Sequence, residues 1–436
     1  MTTILDRKQP IAFKTVDKLE LVKASEQHLA NGVPVYSVNT GTQEIVKIEF
    51  LFNAGMFSQI RPLQAITTNA MLECGTQTLN ADEIADKVDY YGAFLETHIA
   101  QDSASVVLYT LNKHLNNILP IVEDVIKNST FPKDEIKTYL GNKKQIFLVN
   151  NQKVVNVARK RFMELLFGEK HPYGINLKEN YFDEIESNHL LAFYNRFYTS
   201  ENCSIIVSGR IDDDVMLLLD KHFGDEAWKK SSIIKDDSLY GKNSAIAVNT
   251  SDIRVHELPM NGSLQSAIRI GKMLFNKTHE DYQSFQVLNT ILGGYFGSRL
   301  MNNIREDKGY TYGIGSSVAS LKHGGYFFIT TEVGVDVCKS AIHEIYSEIN
   351  RLKEERVGDK ELQLVKNFML GSFLRSADGP FAMAERFKGL LLYNLDYNFY
   401  DSYVATIKNI TASKIQELAN QYLNKESMIE VVAGKR

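Results

Sequence analysis

Cysteine is scarce in this 436-residue chain: Cys74, Cys203 and Cys338 stand far apart and form no Cys-x-x-Cys pair. That excludes a disulfide framework and a cysteine-built zinc site, and the three thiols read as buried side chains. A basic excess is missing too, since 49 Lys and Arg against 53 Asp and Glu leave a formal charge of -4. Nucleic acid and anionic membrane surfaces call for a positive field, so small molecules, peptides and proteins remain as partners. No apolar run reaches the roughly 18 residues of a membrane-spanning helix. Met1 to Lys14 mixes Asp6, Arg7, Lys8 and Pro10 into any apolar run, so no secretory core is seen there. These absences predict a soluble, cytoplasmic protein that contacts neither nucleic acid nor membrane. Two catalytic signatures are also lacking: no Gly-x-Gly-x-x-Gly opens a helix after a strand, and no Gly-x-Ser-x-Gly elbow occurs.

What is present is a core-forming composition, 44% hydrophobic and 23% charged, laid out twice. Tyr91-Gly92 opens an alternating run to Tyr109, followed by an amphipathic segment, Leu115 to Ile126, and by Phe131 to Glu135 leading a longer helical stretch. At a period of roughly 220 residues Tyr312-Gly313 opens a counterpart. Its alternating run ends near Glu332, its amphipathic segment is Val337 to Ile349, and Val357 to Glu361 leads a helical stretch to Leu374. A third block pairs Phe197 to Asn202 and the strand Cys203 to Ser208 with Gln421 to Glu426 and Met428 to Ala433. The order of periods, two then 3.6 then 3.6, is the same in both halves. Segments such as Val35 to Val38, Ile45 to Phe52, Phe94 to Tyr109 and Ser204 to Ser208 read as strands of a mixed, mostly antiparallel sheet with helices packed on one side. The expected fold is therefore α+β, as two tandem homologous domains: residues 1–225, a polar lysine-rich linker over 226–250, and 251–436.

Several blocks carry a family resemblance across about 400 residues. They are Phe52-Asn53-Ala54-Gly55, then His171-Pro172-Tyr173-Gly174 after Leu165 to Gly168, then Leu292-Gly293-Gly294 with Ser298-Arg299-Leu300, and above all Arg305-Glu306-Asp307-Lys308-Gly309-Tyr310-Thr311-Tyr312. Together they resemble the pitrilysin and insulinase zinc peptidases, the inverzincins. The resemblance implies the metallohydrolase fold of the mitochondrial processing peptidase type. It also implies a His-x-x-Glu-His helix whose histidines bind zinc while the glutamate activates water.

The chain departs from that pattern at the metal. The motif positions hold Ile66, Asn69 and Ala70 in Ile66-Thr67-Thr68-Asn69-Ala70, and the third ligand, about 77 residues beyond the second histidine, falls on Phe147. Slippage of the alignment does not restore it, because Ile136 to Met163 contains neither Asp nor Glu. The ten histidines offer little else. His343-Glu344 lacks the second histidine of a zincin helix and reads as a solvated helix face. Glu96, His98 and Asp102 lie along one strand and form a chance cluster at best, and His171 reads as a local hydrogen-bonding residue of its turn.

Two readings of charge remain. In the family, the block containing Arg305 and Tyr312 holds substrate, and a guanidinium and a phenol suit peptide carbonyls or an oxyanion. The structural alternative is an Arg paired with Glu306 and a buried Tyr. Lys137, Lys143, Lys144, Lys153, Arg159, Lys160 and Arg161 fall in the carboxylate-free stretch and read as a solvated helix face, or else as a dock for an acidic partner. The resemblance then implies a non-catalytic, substrate-binding subunit of a two-subunit zinc metallopeptidase. Such a chain binds no cofactor itself, pairs with a zinc-bearing His-x-x-Glu-His homologue, and contributes Arg305 and Tyr312 to a bound peptide. The alternatives are a zinc-free homodimer that binds peptides or unfolded protein, and a hydrolase with an unrecognised site.

Overall fold

The computed structural model describes residues 21–228 and 253–436, so the expected linker lies, from residue 229 on, outside the described residues, as does the Met1 to Lys14 segment. Two sheets organise the chain. The first runs in the order β1-β2-β6-β3-β5-β4, with β1 Ser25–His28, β2 Pro34–Asn39, β3 Ile45–Phe52, β4 Phe94–Ile99, β5 Ala104–Leu111 and β6 Cys203–Gly209. The second runs β7-β11-β8-β10-β9, with β7 Val255–Pro259, β8 Gln265–Leu274, β9 Ile314–Leu321, β10 Gly324–Gly334 and β11 Ile429–Gly434. Apart from the added β1, the two orders superpose strand for strand: β2 and β7 pair in parallel with β6 and β11, and every other pairing is antiparallel. The alternating run from Phe94 to Tyr109 is a hairpin in place of one strand. Its residues Ala100 to Ser103 turn, with the Ala100 amide donating to the Ser103 carbonyl.

The helices follow the same duplication. In the first half they are α1 Gln64–Ala70, α2 Ala81–Tyr90, α3 Leu115–Asn128, α4 Lys133–Asn150, α5 Val154–Phe167, α6 Ser187–Phe197 and α7 Asp213–Phe223. In the second they are α8 Tyr282–Asn289, α9 Cys338–Glu354, α10 Asp359–Arg375, α11 Pro380–Leu391, α12 Asn398–Asn409 and α13 Ala412–Tyr422. Strand alternation sorts the two faces of each sheet. Val46, Ile48, Phe50 and Phe52 of β3 pack into the core formed with the helices of their own half, as do Ile268 and Ile270 of β8.

The opposite faces are covered by exchange. Helix α5 lays Val154, Ala158, Phe162, Leu165 and Leu166, a stripe at helical spacing, against Ala267, Val431 and Ala433 of the second sheet. Helix α11 starts at Pro380 behind Gly379, whose φ of 84° suits glycine, and sets Ala384 against Val38, Leu51 and Ile206 of the first sheet. Each sheet is thus closed by a helix from the other half.

Under α11, four charges meet. The Lys47 ammonium lies 2.5 Å from Glu385 and 3.3 Å from Glu49, while Lys388 reaches Glu49 at 3.0 Å and Glu385 at 2.6 Å. Lys47 and Glu49 sit on the β3 face that points at α11, with side chains only 5% and 2% exposed. Burial pushes the Lys47 ammonium down, but Glu49 and Glu385 outweigh it and hold the group above its ordinary value. Burial likewise raises the Glu385 carboxyl, and Lys388 and Lys47 bring it below the usual carboxylate range. A second brace joins the halves at the turn between β9 and β10: the Tyr173 hydroxyl donates to Asp102, which also accepts the Lys322 amide at 2.9 Å, and the His323 ring stacks on Phe57 at 4.1 Å. Of the three thiols, Cys203 and Cys338 are buried and Cys74 is half-buried. Among the described residues no helix is long and apolar enough to cross a membrane.

Candidate functional site

The motif helix α1 is short and sunk into the first half. Gln64 anchors its start, accepting from the Ile60 and Arg61 amides at 3.2 and 3.3 Å and donating to the His189 carbonyl at 2.8 Å. Asn69 is 1% exposed and spends its amide inside the core, donating to the Tyr198 hydroxyl at 3.0 Å. Ile66 and Thr67 line a cavity of about 210 Å³, and Phe147 arrives in the same cavity from α4. The positions that sequence comparison assigns to a first and third metal ligand are therefore neighbours in space, and both carry hydrocarbon. The Thr67 hydroxyl is buried without a hydrogen-bond partner.

The basic stretch wraps this cavity from α4 and α5. The Lys160 ammonium sits over the Phe147 ring, 4.2 Å from its centroid, and hydrogen-bonds the Asn151 side-chain oxygen. The Lys143 ammonium lies 5.2 Å from the centroid of Tyr139. Burial, with Arg159 adding to it, holds the Lys160 ammonium below its ordinary value. Other members of the stretch are neutralised: Lys144 pairs with Asp183 at 2.8 Å and Glu179 at 3.4 Å, and Arg161 pairs with Glu164. The cluster is thus only partly the solvated face expected from sequence. Lys144 also lines a wider groove of about 790 Å³ between α4 and the start of α6, where its charge is already answered by Asp183.

Glu73, just beyond α1, is a carboxylate to which the sequence assigned no role. Burial pushes its carboxyl up to about 7, Glu96 adds to this, and a hydrogen bond from Thr97 opposes it. In the folded chain it keeps its proton through a range where the unfolded chain releases it, so stability falls as pH rises from about 4.5 toward 7. Between these limits we expect a loss on the order of 2 kcal/mol, allowing for partial solvent screening. Glu73→Gln should flatten that slope in denaturant titrations across the range, and an unchanged slope would remove the assignment.

Other candidates resolve into structural roles. Glu96 and His98 lie 3.2 Å apart on an exposed strand face, while Asp102 turns away to Tyr173 and Lys322. His171 accepts the Tyr173 amide at 3.1 Å, the local bond expected of it, and its motif partner Tyr173 braces the two halves. Among the described residues no group of three or more His, Cys, Asp or Glu is placed to hold a metal ion.

The second-half block presents its two residues differently. Arg305 lies in the helical turn Met301–Asp307, with its guanidinium 4.6 Å from the centroid of the Phe296 ring and 3.4 Å from Glu306. The chain reverses at Gly309, φ 65°. Thr311 then ties the following loop down by donating to the Glu332 carbonyl at 2.7 Å, and Tyr312 projects beyond it, 95% exposed. The ion pair with Glu306 exists as the structural alternative supposed, but a buried Tyr312 does not. Neither residue lines the cavity at Ile66 and Phe147, which is built from the first half alone.

The duplicated α+β fold, with its short helix α1 and this second-half block, is shared with known proteins. The family described as Peptidase M16 inactive domain matches residues 184–369. The chain is 22% identical over 409 residues to the uncharacterized zinc protease YmxG of Bacillus subtilis, covering 92% of this chain and 96% of that protein. It is 23% identical over 416 residues to an uncharacterized zinc protease of Rickettsia bellii, covering 93% and 96%. Among solved structures, a peptidase M16 inactive domain from Pseudomonas fluorescens superposes with a TM-score of 0.82 at 21% identity, covering 95% of this chain and 98% of that one. A protease from Helicobacter pylori superposes with a TM-score of 0.81 at 18% identity, covering 95% and 100%. Residues 184–369 thus match the M16 inactive-domain family, and over nearly its whole length the chain shares the fold of M16 peptidase structures. The zinc that such a fold implies finds no fit in this chain's motif, where an isoleucine, an alanine and a phenylalanine replace the nitrogen and oxygen donors that zinc requires and a core-engaged asparagine replaces the water-activating glutamate.

Proposed function

We propose that this chain is the non-catalytic, substrate-binding subunit of a two-subunit zinc metallopeptidase, working beside a homologue that carries His-x-x-Glu-His and the zinc. The observation that carries this reading is the contrast between the two halves. The first half has hydrocarbon at Ile66 of the motif helix and at Phe147 of α4 where ligands belong, while Tyr312 stands 95% exposed on a loop fixed by Thr311. An exposed phenol on a restrained loop suits a partner or substrate better than it suits this chain's own core. Arg305, held against Phe296 yet a third exposed, keeps guanidinium donors available for peptide carbonyls or a developing oxyanion. On closure of the pair over a peptide, Arg305 and Tyr312 face the substrate at the partner's metal, and water activation belongs to the partner.

The decisive experiment is affinity purification of the natively expressed chain from its own cells, with mass spectrometry and zinc analysis of the eluate. The expected result is an equimolar homologue bearing His-x-x-Glu-His and zinc near one per pair. Recovery of the chain by itself, free of zinc, would replace this reading with a homodimeric peptide-binding protein.

A further inference from the structure

The cavity at the degenerate motif has exchanged one binding chemistry for another. Its floor is apolar, with Ile66 from α1 and Ile146 and Phe147 from α4, and Ile146 is 54% exposed. Its rim is cationic, with Lys143, Arg159 and Lys160, and among the described residues none of the three has a carboxylate within ion-pair distance. The stretch that supplies them, Ile136 to Met163, contains no Asp or Glu, and the nearby Glu164, Glu179 and Asp183 pair with Arg161 and Lys144 instead. Two of the ammonium groups lie over aromatic rings of the cavity wall, Lys160 over Phe147 and Lys143 over Tyr139, which fixes them beside the opening. The buried Thr67 hydroxyl on the same wall has no partner. A site with three uncompensated cations above a hydrocarbon floor is complementary to an anion attached directly to an apolar group. Its volume of about 210 Å³ is below the roughly 300–1,000 Å³ of pockets that enclose a whole drug-sized ligand, so it accommodates one end of a longer molecule.

We propose that this pocket binds the C-terminal end of a peptide whose last residue is apolar, seating that side chain on Ile66, Ile146 and Phe147 and its α-carboxylate against Lys160, with Lys143 and Arg159 at the rim. A carboxylate and a single apolar side chain on one carbon match the spacing of a rim directly over a floor, and the remaining peptide leaves through the open side. The proposal goes beyond the pairing with a zinc-bearing subunit and does not depend on it, because binding is a property of this chain alone.

The test is calorimetric titration of the full chain with a heptapeptide ending in leucine, the same peptide as its C-terminal amide, the same peptide ending in serine, and decanoate. The leucine acid should bind at least about tenfold more tightly than its amide or the serine peptide, the range of one charge-assisted hydrogen bond. Lys160→Gln should weaken the acid by about tenfold and leave the amide unchanged. Ile146→Ser, a change at an exposed position that spares the fold, should erase the preference for leucine over serine. Equal binding of acid and amide, indifference to both variants, or no peptide binding at all would overturn the proposal. Decanoate binding without peptide binding would overturn it in favour of a free aliphatic carboxylate.

Discussion

Glu49→Gln should destabilise the folded chain by about 3–5 kcal/mol, the range for breaking a buried ion pair. The substitution is nearly isosteric, so the loss cannot be assigned to a cavity. It leaves Lys47 and Lys388 sharing the single carboxylate of Glu385, with Lys47 only 5% exposed and unable to recover its hydration. The double replacement Lys47→Met with Glu49→Leu should recover most of the loss, because removing both charges removes the desolvation cost together with the attraction. Because the cluster lies between β3 and α11, the single variant should also loosen one half against the other. Calorimetric unfolding of the two variants and the parent checks this. A change below about 0.5 kcal/mol for Glu49→Gln would place the cluster among ordinary surface pairs.

Arg305→Ala and Tyr312→Phe, each assayed in the pair reconstituted with the zinc-bearing subunit, should lower kcat by about 10²–10³-fold, the usual effect of deleting one oxyanion-stabilising donor. Tyr312→Phe is the cleaner variant: the side chain is almost wholly exposed, so deleting its hydroxyl should alter stability by less than about 0.5 kcal/mol. Arg305→Ala also forfeits packing on Phe296, so Arg305→Lys, which keeps the charge but not the planar fork, separates the two contributions. Zinc content of the partner should stay constant throughout. Full turnover in both Arg305→Ala and Tyr312→Phe would remove these residues from the site.

The duplication was legible in sequence because periodicity survives where identity fades. Tyr91-Gly92 and Tyr312-Gly313 each precede a hairpin, and Leu115 to Ile126 and Val337 to Ile349 each mark a helix, α3 and α9. The exchange of α5 and α11 was not legible. An apolar stripe states that a helix face is buried, but not against which sheet. For the same reason the alternation of β3 does not tell what covers Lys47 and Glu49, which lie under a helix more than 300 residues away. The departure from the metal motif was plain from Ile66, Ala70 and Phe147 at the ligand positions and Asn69 at the glutamate's. What replaced them was not, since only folding brings Ile66, Phe147 and the cations of α4 and α5 to one opening. Glu73 gave no signal at all, because its displaced proton affinity comes from burial beside Glu96, a neighbour only in space.

The crossed helices make the duplicated chain indivisible. A gene cut between its two repeats would encode two pieces, each with a sheet stripped on one side: the first lacking the cover of Ala384 and its neighbours, the second lacking Phe162 and the stripe around it. Neither fragment could present a finished surface to water, and each would hold the patch that completes the other. Joined in one polypeptide, the two halves hold each other's missing cover permanently in reach.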